Sequence, residues 1–223
     1  EMESKRVPLD EGVLSAVIKG YALAGMLPEM EATWARMREL KIEPSAFTYS
    51  SLMLAHQTDL AKVTALLGEM QARGLRPDKL CVTAIMRACM FAGRADAAVR
   101  AWRQNEKFPQ LRPSAAGEWT VWLEALGRTH QWRELRAALD EMLARKHAPT
   151  VSQATLITGL LAATGEAQQV DAAPSLLPAE FRHRALHAYH DFKKLPEQVL
   201  TAEHLAKLIA LMDEAARLQP RKS

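Results

Sequence analysis

Residues 27–44, LPEMEATWARMRELKIEP, recur in pattern along the chain, and this recurrence limits the possible fold more than any other feature. Leu27, Met30, Trp34 and Met37 stand at i, i+3, i+7 and i+10, one stripe of a helix. The spacing returns at Leu60, Val63, Leu67 and Met70, more weakly at Ala95, Ala98, Trp102 and Asn105, and again at Trp132, Leu135, Leu139 and Met142. A proline follows each helix, at Pro44, Pro77, Pro113 and Pro149, so successive units are 33, 36 and 36 residues long by subtraction. That period predicts an all-α fold, a helical-repeat solenoid of stacked helix-turn-helix units.

Each striped helix has a partner before it. Asp10 is placed to cap a first helix striped by Leu14, Val17, Ile18 and Tyr21, and Gly25 ends that helix. Pro28 suits the first turn of the second helix, while Pro44 disfavours helical geometry at Glu43. The second unit opens at Phe47-Thr48-Tyr49-Ser50 with Leu52 and Met53 inward, turns at Gln57-Thr58-Asp59 with Asp59 as a cap, and closes at Arg73-Gly74. The third carries Val82, Ile85 and Met86, turns at Ala92-Gly93, and leaves through a longer loop, Phe108-Pro109-Gln110. The fourth uses Trp119, Trp122 and Leu123 and turns near Thr129-His130. The fifth begins with Val151, Leu156 and Ile157 and turns at Thr164-Gly165, and Pro174 ends its second helix early. Units are therefore expected at about 11–45, 46–78, 79–115, 116–150 and, degenerate, 151–173, in an array over 9–170. Beyond it, 174–223 reads as a helical capping or docking segment with helices at 178–194 and 201–219. Thr201 caps the second of these between Leu200 and Leu205, and Leu205, Leu208, Ile209 and Met212 form its stripe.

Composition narrows the function classes. Lys and Arg number 29 against 26 Asp and Glu, and the resulting charge of +3 permits a polyanionic partner without arguing for one. Cys81 and Cys89, separated by about 12 Å along one helix, are beyond disulfide reach and read as buried thiols. No apolar run approaches the roughly 20 residues of a membrane-spanning helix. The first residues, EMESKR, lack a secretory h-region, so a targeting peptide is expected to be absent or already removed.

Catalytic constellations are missing from the sequence. It holds no phosphate-cradling glycine loop, no GxSxG and no histidine-glutamate with CxxC, so no enzyme, no cofactor and no small-molecule substrate is expected. His183, His187 and His190 share one helix face at a spacing that can present imidazoles to zinc, but without accompanying cysteines or an HExxH carboxylate they read as surface or interface histidines, and no metal is expected. Trp34, Trp102 and Trp132 fall on buried stripes; Trp119 and Trp122 stay open between core and base stacking.

In VLSAVIKGYALAG with its exit MRELKIEPS, in FTYSSLM with EMQARGLRPD, and in DEMLARKHAPT, the chain resembles the pentatricopeptide repeat family from about Leu9 to Gly165. Tetratricopeptide repeats share the period but fit the proline exit less well. The resemblance implies an organellar protein, of mitochondrion or plastid, that binds single-stranded RNA in a concave groove with one base read per repeat. It implies reading pairs at Ser15 with Ser45, Ser50 with Asp78, Thr83 with Ser114, and Thr120 with Thr150, leaving Thr155 without an evident mate. Their hydroxyl and carboxylate groups can meet a base edge, with a lean towards purines, although serines and threonines near helix starts also serve as caps. At the position that clamps the base in the family stand Gly12, Phe47, Leu80, Gly117 and Ser152, of which Phe47 and Leu80 can sandwich a base. Arg128 is nearly alone at the position expected to meet phosphate, with Lys19 and Arg87 as other groove cations. The implied function is a non-catalytic adaptor within an organellar ribonucleoprotein. Its alternative is a scaffold, a protein subunit among the protein subunits of a large organellar assembly, whose repeats no longer read RNA.

Overall fold

The computed structural model describes residues 9–105, 108, 111, 113–163, 177–196 and 200–219, and among them every regular element is helical. The chain divides into two compact units, 1–112 and 113–223, and each is a helical-repeat solenoid. The first holds α1 (Glu11–Ala24), α2 (Leu27–Glu39), α3 (Ala46–Ala55), α4 (Leu60–Ala72), α5 (Lys79–Phe91) and α6 (Ala95–Asn105). Its helices pair in chain order, α1 with α2, α3 with α4 and α5 with α6, and the first helix of each pair lies beside the next, α1 on α3 and α3 on α5. The second unit holds α7 (Ala116–Arg128), α8 (Trp132–Ala144), α9 (Val151–Ala163), α10 (Ala179–Lys193) and α11 (Ala202–Leu218). Here α7 packs on α8 and α9, α10 lies along α9, and α11 lies along α8. The turn expected at Thr164-Gly165, the stop at Pro174 and the loop residues Pro109-Gln110 lie outside the described residues.

The helix starts follow the expected capping chemistry. Asp10 accepts from the Val13 N–H at 2.8 Å, Asp59 from Lys62 at 3.0 Å and Asp78 from Cys81 at 2.8 Å. The helix ends share a second device. After six helices the chain takes one left-handed residue, and the following N–H reaches back five residues to close the last turn. These bonds are Met26 to Tyr21, Ile42 to Met37, Leu75 to Met70, Arg94 to Cys89, Gln131 to Leu126 and His147 to Met142, all between 2.8 and 3.1 Å. The left-handed residue is glycine at Gly25, Gly74 and Gly93, but Lys41, His130 and Lys146 fill the same role with φ of 55°, 55° and 61°.

Packing selects among the residues of each stripe. Met30, Trp34 and Met37 are buried, and Trp34 meets Tyr49 of the next pair edge-on at 5.7 Å. In α4 it is Leu66, 4% exposed, that fills the third place, with Leu67 half-buried beside it, because i+6 and i+7 both border a stripe of period 3.6. In α11 Leu208, Leu211, Met212 and Ala215 are buried while Leu205 and Ile209 are half-buried, since the stripe turns towards α8. Trp119 and Trp122 are both core. A Cβ on Gly127 of α7 would lie 2.5 Å from Leu160 of α9, so these two first helices touch where glycine stands. The end of α11 is tied to α8 and the turn before it: Arg133 donates to the Ala216 carbonyl at 2.9 Å, Arg136 to Asp213 at 2.6 Å, and Gln219 to the His130 carbonyl at 2.9 Å.

Lys146 is an exposed lysine in a conformation that costs an L-residue about 1 kcal/mol and glycine almost nothing. Lys146→Gly is expected to raise the urea midpoint by the equivalent of about 0.5–1 kcal/mol. An unchanged or lowered midpoint would show that the left-handed turn is not strained there.

Candidate nucleic-acid interface

The five hydroxyls implied as readers lie one turn into α1, α3, α5, α7 and α9. Four of them are spent on the protein itself. Ser50 is fully buried and donates to the Phe47 carbonyl at 3.0 Å, and Thr83, 8% exposed, donates to the Lys79 carbonyl at 3.0 Å. Ser15 is buried, donates to Glu11 at 2.7 Å and shares a 2.6 Å hydrogen bond with Thr48 of the next pair. Thr120 donates to the Ala116 carbonyl at 2.9 Å and accepts from Gln153 at 3.0 Å. Both cross-links, Ser15 with Thr48 and Thr120 with Gln153, span 33 residues, so the same register is tied in both units. Thr155 differs: among the described residues its hydroxyl has no hydrogen-bond partner.

The mates of these residues sit at helix starts. Ser45 caps α3 in a reciprocal capping box with Thr48, and Asp78 caps α5. Thr150 accepts from the Gln153 N–H at 3.2 Å, while the Ser114 N–H donates to Glu118 at 2.7 Å. Thr83 and Ser114 belong to different units. Of the clamp residues, Phe47 is exposed with the Lys19 ammonium 4.9 Å from its ring centre, and Leu80 is half-buried. Arg128 is exposed and paired with Glu124 at 2.8 Å, and Arg87 donates to Gln57 at 2.9 Å.

Two clefts gather the remaining chemistry. One of about 910 Å³ in the first unit is lined by Arg76, Asp78, Lys79, Leu80, Asn105 and Phe108 among others. It brings two implied contacts, Asp78 and Leu80, together with two cations and an aromatic ring. The other, about 550 Å³ in the second unit, lies between α9 and α10 and is lined by Ser152, Thr155, Leu156, Gly159, Tyr189 and Lys193 among others. Thr48, Gln153, Tyr189 and Lys193 were not singled out by pattern; for Thr48 and Gln153 the available signal was a polar residue 33 positions after an implied reader.

Hydrogen bonds from Ser45 and Ser15 hold the Glu11 carboxyl below its ordinary pKa. Burial pushes the Cys81 thiol up to about 12 and raises Cys89 as well. His183 and His187 stand edge to face with their Nε2 atoms 3.1 Å apart, and among the described residues no group of three His, Cys, Asp or Glu is placed to hold a metal ion.

A family model, the pentatricopeptide repeat domain, matches residues 1–56. The chain is 24% identical over 144 residues to a chloroplastic pentatricopeptide repeat-containing protein of Arabidopsis thaliana, a match covering 62% of this chain and 17% of that protein. In fold it is similar to the pentatricopeptide repeat protein PPR10 in complex with an 18-nucleotide psaJ RNA element, with a TM-score of 0.56 and 21% identity over 95% of this chain and 29% of that one. It is also similar to the pentatricopeptide repeat domain of Arabidopsis thaliana protein-only RNase P 1 in complex with tRNA, with a TM-score of 0.57 and 11% identity over 91% and 98% of the two chains. At these identities the likeness to solved structures is one of fold. The chain spans 17% of the length of its chloroplastic relative and 29% of PPR10.

The Glu11 cluster gives a pH signature. A carboxyl depressed in the folded state contributes stability above its unfolded pKa and loses it as pH falls through its folded one. The wild-type chain should therefore exceed Glu11→Gln in urea midpoint near neutrality, and the difference should shrink as pH drops below the ordinary glutamate value of 4.5. A constant difference would remove the carboxylate from the network.

Proposed function

We propose that this chain, whose helix pairs are pentatricopeptide repeats, is a non-catalytic adaptor that binds single-stranded RNA, as a subunit of an organellar ribonucleoprotein such as a ribosome or an RNA-processing complex. The observation that carries this reading is the cleft beside Asp78. A carboxylate that can accept from a base edge, Leu80 and Phe108 for a base face, and Arg76 and Lys79 for phosphate line one cavity. The RNA complexes of PPR10 and of the RNase P 1 repeat domain support the partner, and the chloroplastic relative supports an organelle.

A second reading rests on a different observation. Ser15, Ser50 and Thr83 are buried and committed to the fold, which favours a scaffold whose repeats retain their stacking surfaces and bind protein subunits alone.

Fluorescence anisotropy with a pool of short single-stranded RNAs separates the two. Asp78→Asn keeps the α5 cap but turns an acceptor into a mixed donor and acceptor, so it should change the base preference without unfolding the chain. Lys79→Gln should lower the slope of log affinity against log salt by about 0.7 if it neutralises one phosphate. No binding at low salt by a chain with intact helical circular dichroism would favour the scaffold.

A further inference from the structure

The fifth first helix, α9, is built unlike the others. Its Thr155 is the implied reader without a mate, and among the described residues it is the one of the five whose hydroxyl the fold has not used. The next helix among the described residues, α10, lies along α9. Tyr189 of α10 rests on Gly159: a Cβ there would lie 3.2 Å from Tyr189 Cδ2 and 3.3 Å from Cε2, so glycine lets the ring reach the α9 backbone. One turn further along α10, the Lys193 ammonium stands 5.7 Å from the ring centre. The ring, the ammonium, Thr155 and the apolar side chain of Leu156 line the same cleft of about 550 Å³. That volume lies within the roughly 300–1,000 Å³ span of small-ligand sites.

We infer that this cleft is an additional nucleobase site, made by one repeat helix and one helix outside the period, that holds a terminal nucleotide of the bound RNA. The base stacks on Tyr189, the Thr155 hydroxyl donates to or accepts from its edge, and the Lys193 ammonium leaves the ring face to pair with the adjoining phosphate. Aromatic stacking with a single adaptable hydroxyl tolerates several bases, so the site anchors an end more than it reads a sequence. The inference rests on the RNA-binding reading of the chain.

The test uses the full chain with short single-stranded RNAs carrying 5-iodouridine at one position at a time, irradiated and mapped by mass spectrometry, beside anisotropy titrations. The expected result is a cross-link to Tyr189 from one terminal position only. Tyr189→Leu should weaken binding about tenfold, Tyr189→Phe should leave it nearly unchanged, and Lys193→Gln should lower the salt slope by about 0.7. Should Tyr189→Leu lose its helical circular dichroism, Gly159→Ala takes its place: it retains both side chains but displaces the ring, and should weaken binding and the cross-link together. RNA binding with cross-links elsewhere and full affinity in these variants overturns the site and leaves RNA binding standing. An absence of RNA binding by the wild-type chain at low salt removes both.

Discussion

In the first unit successive helix pairs share one apolar cluster, and the register of that stack depends on this sharing. Met30, Trp34 and Met37 share one buried cluster with Leu14 and Ile18 of α1 and with Tyr49, Leu52 and Met53 of the next pair, and that cluster continues into Val63, Leu66 and Met70. At about 25 cal/mol per Å² the burial of such side chains is worth roughly 1.5–3 kcal/mol each, far more than the exposed ion pairs that also link successive pairs. Arg38 with Glu69 at 2.6 Å and Lys62 with Glu31 at 3.0 Å fix the register more than they stabilise it.

Register also explains where the hydroxyls of the first helices are spent. A hydroxyl that ties one first helix to the next, as Ser15 and Thr120 do, has one proton to give, and the fold has taken it. The two clefts are lined by groups not tied up in this way: Leu80 beside the capping Asp78 at the start of α5, and Thr155 where α10 lies along α9.

Much of the backbone could be read from spacing and local chemistry. Asp10, Asp59 and the glycine closures at Gly25 and Gly74 act through neighbours within five residues, so the signal and its consequence are both local. What escaped depends on partners distant in the chain. The period marks a face of α4 or α11 but cannot tell Leu66 from Leu67, or Leu211 from Ile209, because the choice is made by the helix packed opposite. Lys41 and Lys146 carry no side-chain signature of a left-handed residue, and His130, within the turn expected near Thr129-His130, carries a weak one; all three adopt it where the following N–H closes the preceding helix. Among the implied contacts, residue type indicated hydrogen-bonding capacity and left its recipient open. Thr48 and Gln153 became legible only once first helices were side by side, and Tyr189 lay outside any repeat.

The two thiols carry a practical consequence. Cys81 packs its sulfur 3.9 Å from that of Met70, and burial keeps both Cys81 and Cys89 protonated at neutral pH. Because thiolate is the species that reacts with maleimides, the native pair should stay silent while a cysteine newly placed on an exposed helix face is labelled. The wild-type background is thus already suited to attaching dyes or spin probes, and distances along the repeat stack become measurable without first removing any natural residue.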